Sequence, residues 1–265
     1  MTMQLQDLTE QSCDLLDSVL AGVEKPDESE NVYSAFRHTF ILSHAKNVLN
    51  TAEDVLDLED KKRASSAPLL VRGMLESLFI LGAATRNDNF VGQKIVYDLE
   101  KTAEYERVAI KKTSSENLKK YLQEQADSHS EIAKDLRQRH QITEKLKWAP
   151  IDCAVEAGLF RIYAIEYADY SQSTHAEFFN MFFFKDKKTA QVYRTVAFVS
   201  LKAVEFLLSS VKSNNHVDFA AQLRRLLVDL KEMEKTGKLR ELVIDELEGH
   251  QPIVRGKRKS RLQNN

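Results

Sequence analysis

Long segments of this chain repeat apolar residues at spacings of three and four, and few helix breakers interrupt them. The 265 residues include only 8 glycines and 4 prolines, and alternating β-branched runs are almost absent. This pattern predicts an all-α protein that needs no strands. Because 43% of the residues are hydrophobic, the chain can bury a substantial core, and we predict a single helical bundle over residues 1–250.

The apolar periodicity and its breaks predict where the helices lie. They cover residues 4–21, 32–58, 66–84, 90–110, 116–147, 151–157, 159–175, 188–211, 217–235 and 239–247. Ser66 stands just before Ala67 and Pro68, so we expect it to cap the third helix, since proline is tolerated in a first helical turn.

Two segments have a composition that sets them apart from the bundle. Residues 94–147 are rich in charged and amide side chains, which predicts a protruding charged helical hairpin. This hairpin is either a solvated helix pair with a narrow apolar seam or an arm that binds a partner. Residues 251–265 are a basic tail that we expect to be disordered, and that either solubilises the chain or holds a polyanion such as RNA.

Charge and cysteine content restrict the classes of protein that this chain can belong to. With 38 basic and 40 acidic residues the net charge is −2, so the whole body has no field that would draw it to nucleic acid or to an anionic membrane. The two cysteines match no metal-ligand or redox spacing, which suits a reducing compartment. The first residues lack the basic start and apolar run of a signal peptide, so we predict a cytoplasmic protein.

The segment 67–84 is the one stretch that approaches the length of a membrane span. It carries Arg72 and Glu76 near its middle, and each charge would cost about 2.5–3.5 kcal/mol in a bilayer. We therefore predict a buried central helix of a soluble bundle and no membrane contact.

A stripe of polar side chains marks the first candidate site. Tyr163, Tyr167, Ser171 and His175 stand four residues apart in a predicted helix, so they line one side of it. The simplest interpretation makes the tyrosines core aromatics whose hydroxyls reach a polar network. His175 is either a structural residue or a proton carrier.

Arg72 and Glu76 are one helical turn apart on an apolar helix, and they have to satisfy their charges with each other or with further polar groups. We predict that this pair meets the stripe and forms a buried polar centre. One interpretation is an ion pair that fixes helix register, and the other is a ligand clamp. In the second, Arg72 binds an anionic group such as a phosphate and Glu76 orients Arg72, while Ser171 hydrogen-bonds the ligand and His175 donates or carries a proton.

Several kinds of chemistry lack their usual sequence signals. The chain has no His-Glu-x-x-His, no paired Glu-x-x-His and no cysteine cluster, so we predict no metal site. It has no glycine-rich phosphate loop, so we predict no cofactor. A serine nucleophile at Ser171 would need an oxyanion hole and a strained presentation that a regular helix does not provide.

A second pair of residues suggests a different activity. Arg37, followed by the polar His38, and His44 lie seven residues apart on one helix face. This spacing is similar to the short motif of HEPN ribonucleases, a resemblance that implies RNA cleavage by Arg37 and His44 without a metal. The alternative is a chance match to a two-residue pattern.

A dense aromatic cluster follows the stripe. It consists of Phe178, Phe179, Met181, Phe182, Phe183 and Phe184. So apolar a cluster has to be buried, and we expect it to pack in the core, to cover the Arg72 and His175 region as a flap, or to form a homodimer interface.

A resemblance to a known family covers about 32–212. The residues that carry it are Leu69, Leu70, Arg72, Glu76, Trp148, Ala157, Gly158, Leu159, Tyr163, Tyr167, Ser171 and His175. They resemble the signature of a bacterial family known as domain of unknown function five-six-seven-seven. Gly73 departs from it, because that family often has serine after the arginine. The resemblance implies an all-helical domain with a shared polar centre at Arg72, Glu76, Ser171 and His175, and it implies no activity.

Three classes of function follow from these patterns. The first is a regulatory or defence-type module that binds an anionic ligand or nucleic acid at the Arg72 centre. The second is a metal-independent endoribonuclease that uses Arg37 and His44. The third is a structural or partner-binding bundle. An open cleft at the Arg72 centre would favour the first class, and a fully packed network would favour the third.

Overall fold

The computed structural model describes residues 2–24, 32–60, 67–175, 185–237 and 242. In these ranges the chain is helical, with one isolated bridge between Val23 and Ser213 and no strand. The helices are α1 (Thr2–Ala21), α2 (Val32–Asp60), α3 (Ala67–Arg86), α4 (Phe90–Lys112), α5 (Glu116–Arg139), α6 (Pro150–Glu156), α7 (Phe160–Ile162), α8 (Ala168–His175), α9 (Lys185–Ser210) and α10 (His216–Thr236), with a π-turn (Tyr163–Tyr167) between α7 and α8. The all-α multi-helix bundle predicted from the periodicity is confirmed.

Helix α3 is the centre of the bundle. It packs against α2, α6, α8 and α9, because apolar side chains cover most of its circumference. Two other helices approach it closely at Gly82, where an added Cβ would lie 2.7 Å from Ala157 Cβ and from the ring of Phe206. Glycine therefore allows α6 and α9 to close onto α3 at this level.

Among the described residues, Ala67–Arg86 is the one helix long and apolar enough to cross a membrane. Of its most apolar stretch, 61% is buried inside the bundle. This helix is thus a core helix of the kind found in soluble proteins, as its two charges predict.

Helix α9 lies beside α3 and also contacts α1, α2 and α10. All of its side chains from Val192 to Leu201 are buried, including the charged Arg194. An arginine in such a run requires a buried partner, because an unpaired charge away from water is very costly.

Helices α4 and α5 form an antiparallel pair joined by residues 113–115. Polar contacts tie them at matching levels: Arg137 with Glu100, His129 with Glu106, and Arg107 with Ser130. Small buried alanines, Ala103, Ala126 and Ala133, form the seam between them. The predicted helical hairpin is therefore present within 94–147, whereas its protrusion stays a prediction.

Helix α5 ends at Arg139, although the sequence predicts helix to residue 147. Gln141 adopts a left-handed conformation with φ 53°, and Arg137 Nη1 donates to the carbonyl oxygens of Ile142 and Glu144. The chain then turns back and buries Leu146, while Trp148 packs edge-on against Phe90. The predicted helix is therefore eight residues too long. The sequence did not indicate the earlier end, because no glycine or proline stands near Arg139.

Some predictions fall on residues that the structure does not describe. These are the cap at Ser66, the aromatic cluster from Phe178 to Phe184, most of the helix at 239–247 and the tail at 251–265. They stay predictions.

Candidate functional site

The polar residues of α3 meet the tyrosine stripe at Tyr167. The hydroxyl of Tyr167 donates a hydrogen bond of 2.6 Å to Glu76 Oε1. Arg72 Nε lies 3.3 Å from the same carboxylate oxygen, and its guanidinium carbon lies 5.4 Å from the centre of the Tyr167 ring. Glu76 thus accepts from both neighbours, and the ring of Tyr167 supports the guanidinium.

The local electrostatics follow from this arrangement. Burial raises the pKa of Tyr167, and the hydrogen bond and negative charge of Glu76 raise it further. The tyrosine is therefore a neutral hydroxyl donor at neutral pH, and its O–H is directed to Glu76.

The sequence predicts that Arg72 and Glu76 are buried, but in the structure both side chains are partly exposed. Their side chains are 31% and 37% exposed, so the pair stands at the rim of the bundle. The difference arises because the helices that flank α3 cover its apolar sides and leave this edge open to solvent. The pair is consequently accessible to a ligand and contributes little to stability.

The tyrosine stripe continues as a row of aromatic rings. The Tyr163 and Tyr167 rings have centroids 4.9 Å apart and planes 18° apart. Phe160 extends the row at 6.5 Å from Tyr163 with planes 20° apart. The Tyr167 ring is almost fully buried, Tyr163 is half-buried, and Phe160 is 45% exposed. The row therefore runs from the Arg72 rim to a ring that faces solvent.

A π-turn builds the part of this helix that carries the tyrosines. The backbone N–H of Ala168 reaches the carbonyl of Tyr163, five residues earlier, so the turn holds one extra residue compared with an α-helix. Sequence periodicity of 3.6 does not predict this turn. π-turns occur frequently at functional sites, so the turn supports the choice of this segment as a candidate site.

The structure contains a buried ion pair beneath the stripe that the sequence interpretation missed. Arg194 Nη2 of α9 lies 2.7 Å from Glu166 Oε2, with side chains 1% and 0% exposed. Thr195 Oγ1 donates to the same oxygen at 3.1 Å, and Tyr170 lies 3.2 Å from Thr195 Oγ1. The Glu166 network is a fully buried polar cluster, whereas the Arg72 pair is partly exposed.

A signal for the Glu166 network was present in the sequence. Glu166 is three residues after Tyr163 and four before Tyr170, on the inward face of the helix. Arg194 stands in an apolar run, the same argument that draws attention to Arg72.

Ser171 and His175 follow the π-turn in α8. Ser171 is half-buried one turn beyond Tyr167. His175 is the last residue of α8, and its side chain is outside the described part of the structure. Among the described residues, α3 meets the stripe through Tyr167, which contacts Glu76 and Arg72, and through Phe79, whose ring packs against Tyr163 and Tyr167.

Arg37 and His44 have structural surroundings of their own. Arg37 donates from Nε and Nη2 to the Ala84 carbonyl and pairs with Asp88, so it closes the C-terminal end of α3. His44 packs on Phe40, and burial together with the charge of Lys94 lowers its pKa to about 4. The cleavage of RNA by Arg37 and His44 stays a prediction.

The described residues contain no group of three or more histidine, cysteine or acidic side chains that could hold a metal ion. Cys13 and Cys153 are both buried free thiols, and burial raises the pKa of each to about 12. Neither thiol is therefore suited to act as a nucleophile near neutral pH.

Comparison with known proteins identifies a family. No curated protein and no solved structure matches the chain. The model of a family of unknown function, DUF5677, matches residues 38–192, which is more than half of the chain and includes the α3 pair and the whole tyrosine stripe. The chain therefore belongs to the DUF5677 family.

Proposed function

We propose that this protein is a cytoplasmic regulatory or defence-type module that binds an anionic ligand, with Arg72 as the main contact for the anion. The observation that carries the proposal is the position of Arg72: it is 31% exposed, yet held by Glu76 and by the ring of Tyr167. A guanidinium that is fixed before the ligand arrives loses less entropy on binding.

Glu76 has an orienting role in this proposal. Its carboxylate accepts from Tyr167 and lies on the Nε side of Arg72, so it directs the guanidinium. Ser171, one turn further, and His175, at the end of α8, supply hydrogen bonds to the ligand.

The ribonuclease alternative has weaker support. Arg37 is engaged by the end of α3 and by Asp88, and His44 is half-buried and packs on Phe40. An arginine and a histidine that cleave RNA need access to the phosphate, and the described surroundings favour a stabilising role for both.

Calorimetric titration with inorganic tripolyphosphate at low salt tests the proposal. We expect the wild type to bind and Arg72→Gln to bind at least tenfold more weakly, because the fixed charge is lost. Arg224→Gln is the matched control, since Arg224 is an exposed arginine of α10. Equal binding by the wild type and Arg72→Gln, or no binding by the wild type, would overturn the proposal.

A further inference from the structure

We infer that the anionic ligand is single-stranded nucleic acid, whose bases stack on the aromatic row at Phe160 while its phosphates contact arginine. This inference rests on the proposed function, because it names the class of ligand for the same surface. It adds a second recognition element, the aromatic row, to the charge of Arg72.

The geometry of the aromatic row suits the stacking of a base. Three rings lie in nearly parallel planes, with 20° and 18° between neighbours, and the terminal ring, Phe160, is 45% exposed. Tyr167 is buried in the core and Tyr163 packs against the core, so the two inner rings hold the direction of the row. A flat base that stacks on Phe160 would continue the row and remove an exposed aromatic surface from water.

Positive charge lies at both ends of the aromatic row. Arg72 lies over Tyr167 at one end, and Arg161, the residue after Phe160 in the chain, is exposed at the other. Proteins that bind single strands combine backbone-tracking positive charge with aromatic stacking in this way. A bare phosphate would use the arginines and leave Phe160 in water.

A duplex and a free polyphosphate each fit this surface less well than an unpaired strand. A duplex keeps its bases paired and stacked on each other, so it cannot place one on Phe160. A free polyphosphate has no ring to offer. The two features together therefore favour an unpaired strand over either of these anions.

The experiment compares labelled oligomers by fluorescence anisotropy. The probes are a uridine oligomer of about 12 nucleotides, an abasic strand of the same length, and the corresponding duplex. We expect the wild type to bind the uridine oligomer at least fivefold more tightly than the abasic strand, with the duplex weaker than the single strand. Equal affinity for the uridine and abasic strands would overturn the inference.

Variants at Phe160 make the test specific. Phe160→Leu keeps an apolar side chain without the ring, and we expect it to lose about fivefold to a hundredfold in affinity for the uridine oligomer and nothing for the abasic strand. Phe160→Trp restores a stacking surface and should recover the affinity. Tyr105→Leu is the control, since Tyr105 is an aromatic residue of α4 that is 69% exposed. Thermal unfolding of each variant excludes loss of fold.

Failure of the inference and failure of the proposed function give different results. If tripolyphosphate binds through Arg72 but Phe160→Leu leaves uridine binding unchanged, the surface binds anions and the base-stacking inference is wrong. If neither tripolyphosphate nor any oligomer binds the wild type, the proposed function fails as well.

Discussion

Glu166 and Arg194 form an ion pair in the interior of the bundle, 2.7 Å apart and both almost fully buried, and they join the π-turn to α9. Because the charges are removed from water, each depends on the other for compensation. We predict that Arg194→Met lowers the free energy of unfolding by about 3–5 kcal/mol, because Glu166 loses its buried cation.

The double variant Glu166→Leu with Arg194→Met should cost less than Arg194→Met alone, since no buried charge remains. Urea unfolding of the three proteins measures both effects. A double variant less stable than Arg194→Met would show that the pair is not held by charge compensation.

Two glycines of α3 should respond in opposite directions to replacement by alanine. At Gly82 the new Cβ would lie 2.7 Å from Ala157 Cβ and from the Phe206 ring, so Gly82→Ala should destabilise by about 1–3 kcal/mol. At Gly73 no atom lies within 4 Å of the new Cβ, so Gly73→Ala should stabilise by about 0.5–1 kcal/mol. Thermal unfolding distinguishes them, and a shift of the same sign for both would contradict the packing described for α3.

The stability of the protein should fall in acid because of His44. Its pKa is lowered to about 4 in the folded state, since the ring is buried near Lys94, while the unfolded chain has the ordinary value. The unfolded state therefore binds a proton first as the pH falls, so stability is present above about pH 6.5 and is lost toward pH 4.

The loss attributable to His44 is on the order of 3 kcal/mol. Urea unfolding between pH 7 and pH 4 should show that His44→Leu lacks this part of the decline. Parallel pH profiles for the wild type and His44→Leu would mean that the histidine has the same pKa in the folded and unfolded protein.

Tyr167 and Glu76 should be energetically coupled. Their hydrogen bond of 2.6 Å involves a carboxylate that is about a third exposed, so we expect a coupling free energy of about 0.5–1.5 kcal/mol. A double-mutant cycle of Tyr167→Phe and Glu76→Gln, followed by urea unfolding, measures it. Additive effects of the two substitutions would separate the tyrosine stripe from the α3 pair.

The sequence was sufficient to predict the meeting of α3 and the stripe, because each helix carries polar groups at one-turn spacing on an apolar background. It could not predict that Arg72 and Glu76 lie at the rim. An i, i+4 pair has the same pattern whether the neighbouring helices cover it or leave it open, and this depends on the docking of α8 against α3.

The π-turn and the end of α5 were beyond prediction for a local reason. No glycine or proline marks the segments 163–167 or 139–147, so the sequence gives no sign that the α-helix changes or ends there. The deviations depend on distant contacts: Glu166 with Arg194 in the first, and Arg137 with the carbonyls after the helix in the second. Such contacts exist only after the helices have packed.

The salt dependence of binding tests most directly whether Arg72 contacts the anion. Inorganic polyphosphate should bind the wild type with an affinity that falls as the salt concentration rises. Arg72→Gln should bind more weakly, and its slope of log K against log salt concentration should be shallower by about 1, the value for one lost phosphate contact. Arg224→Gln should keep the wild-type slope. An Arg72→Gln protein with the affinity and the slope of the wild type would contradict the account of this surface.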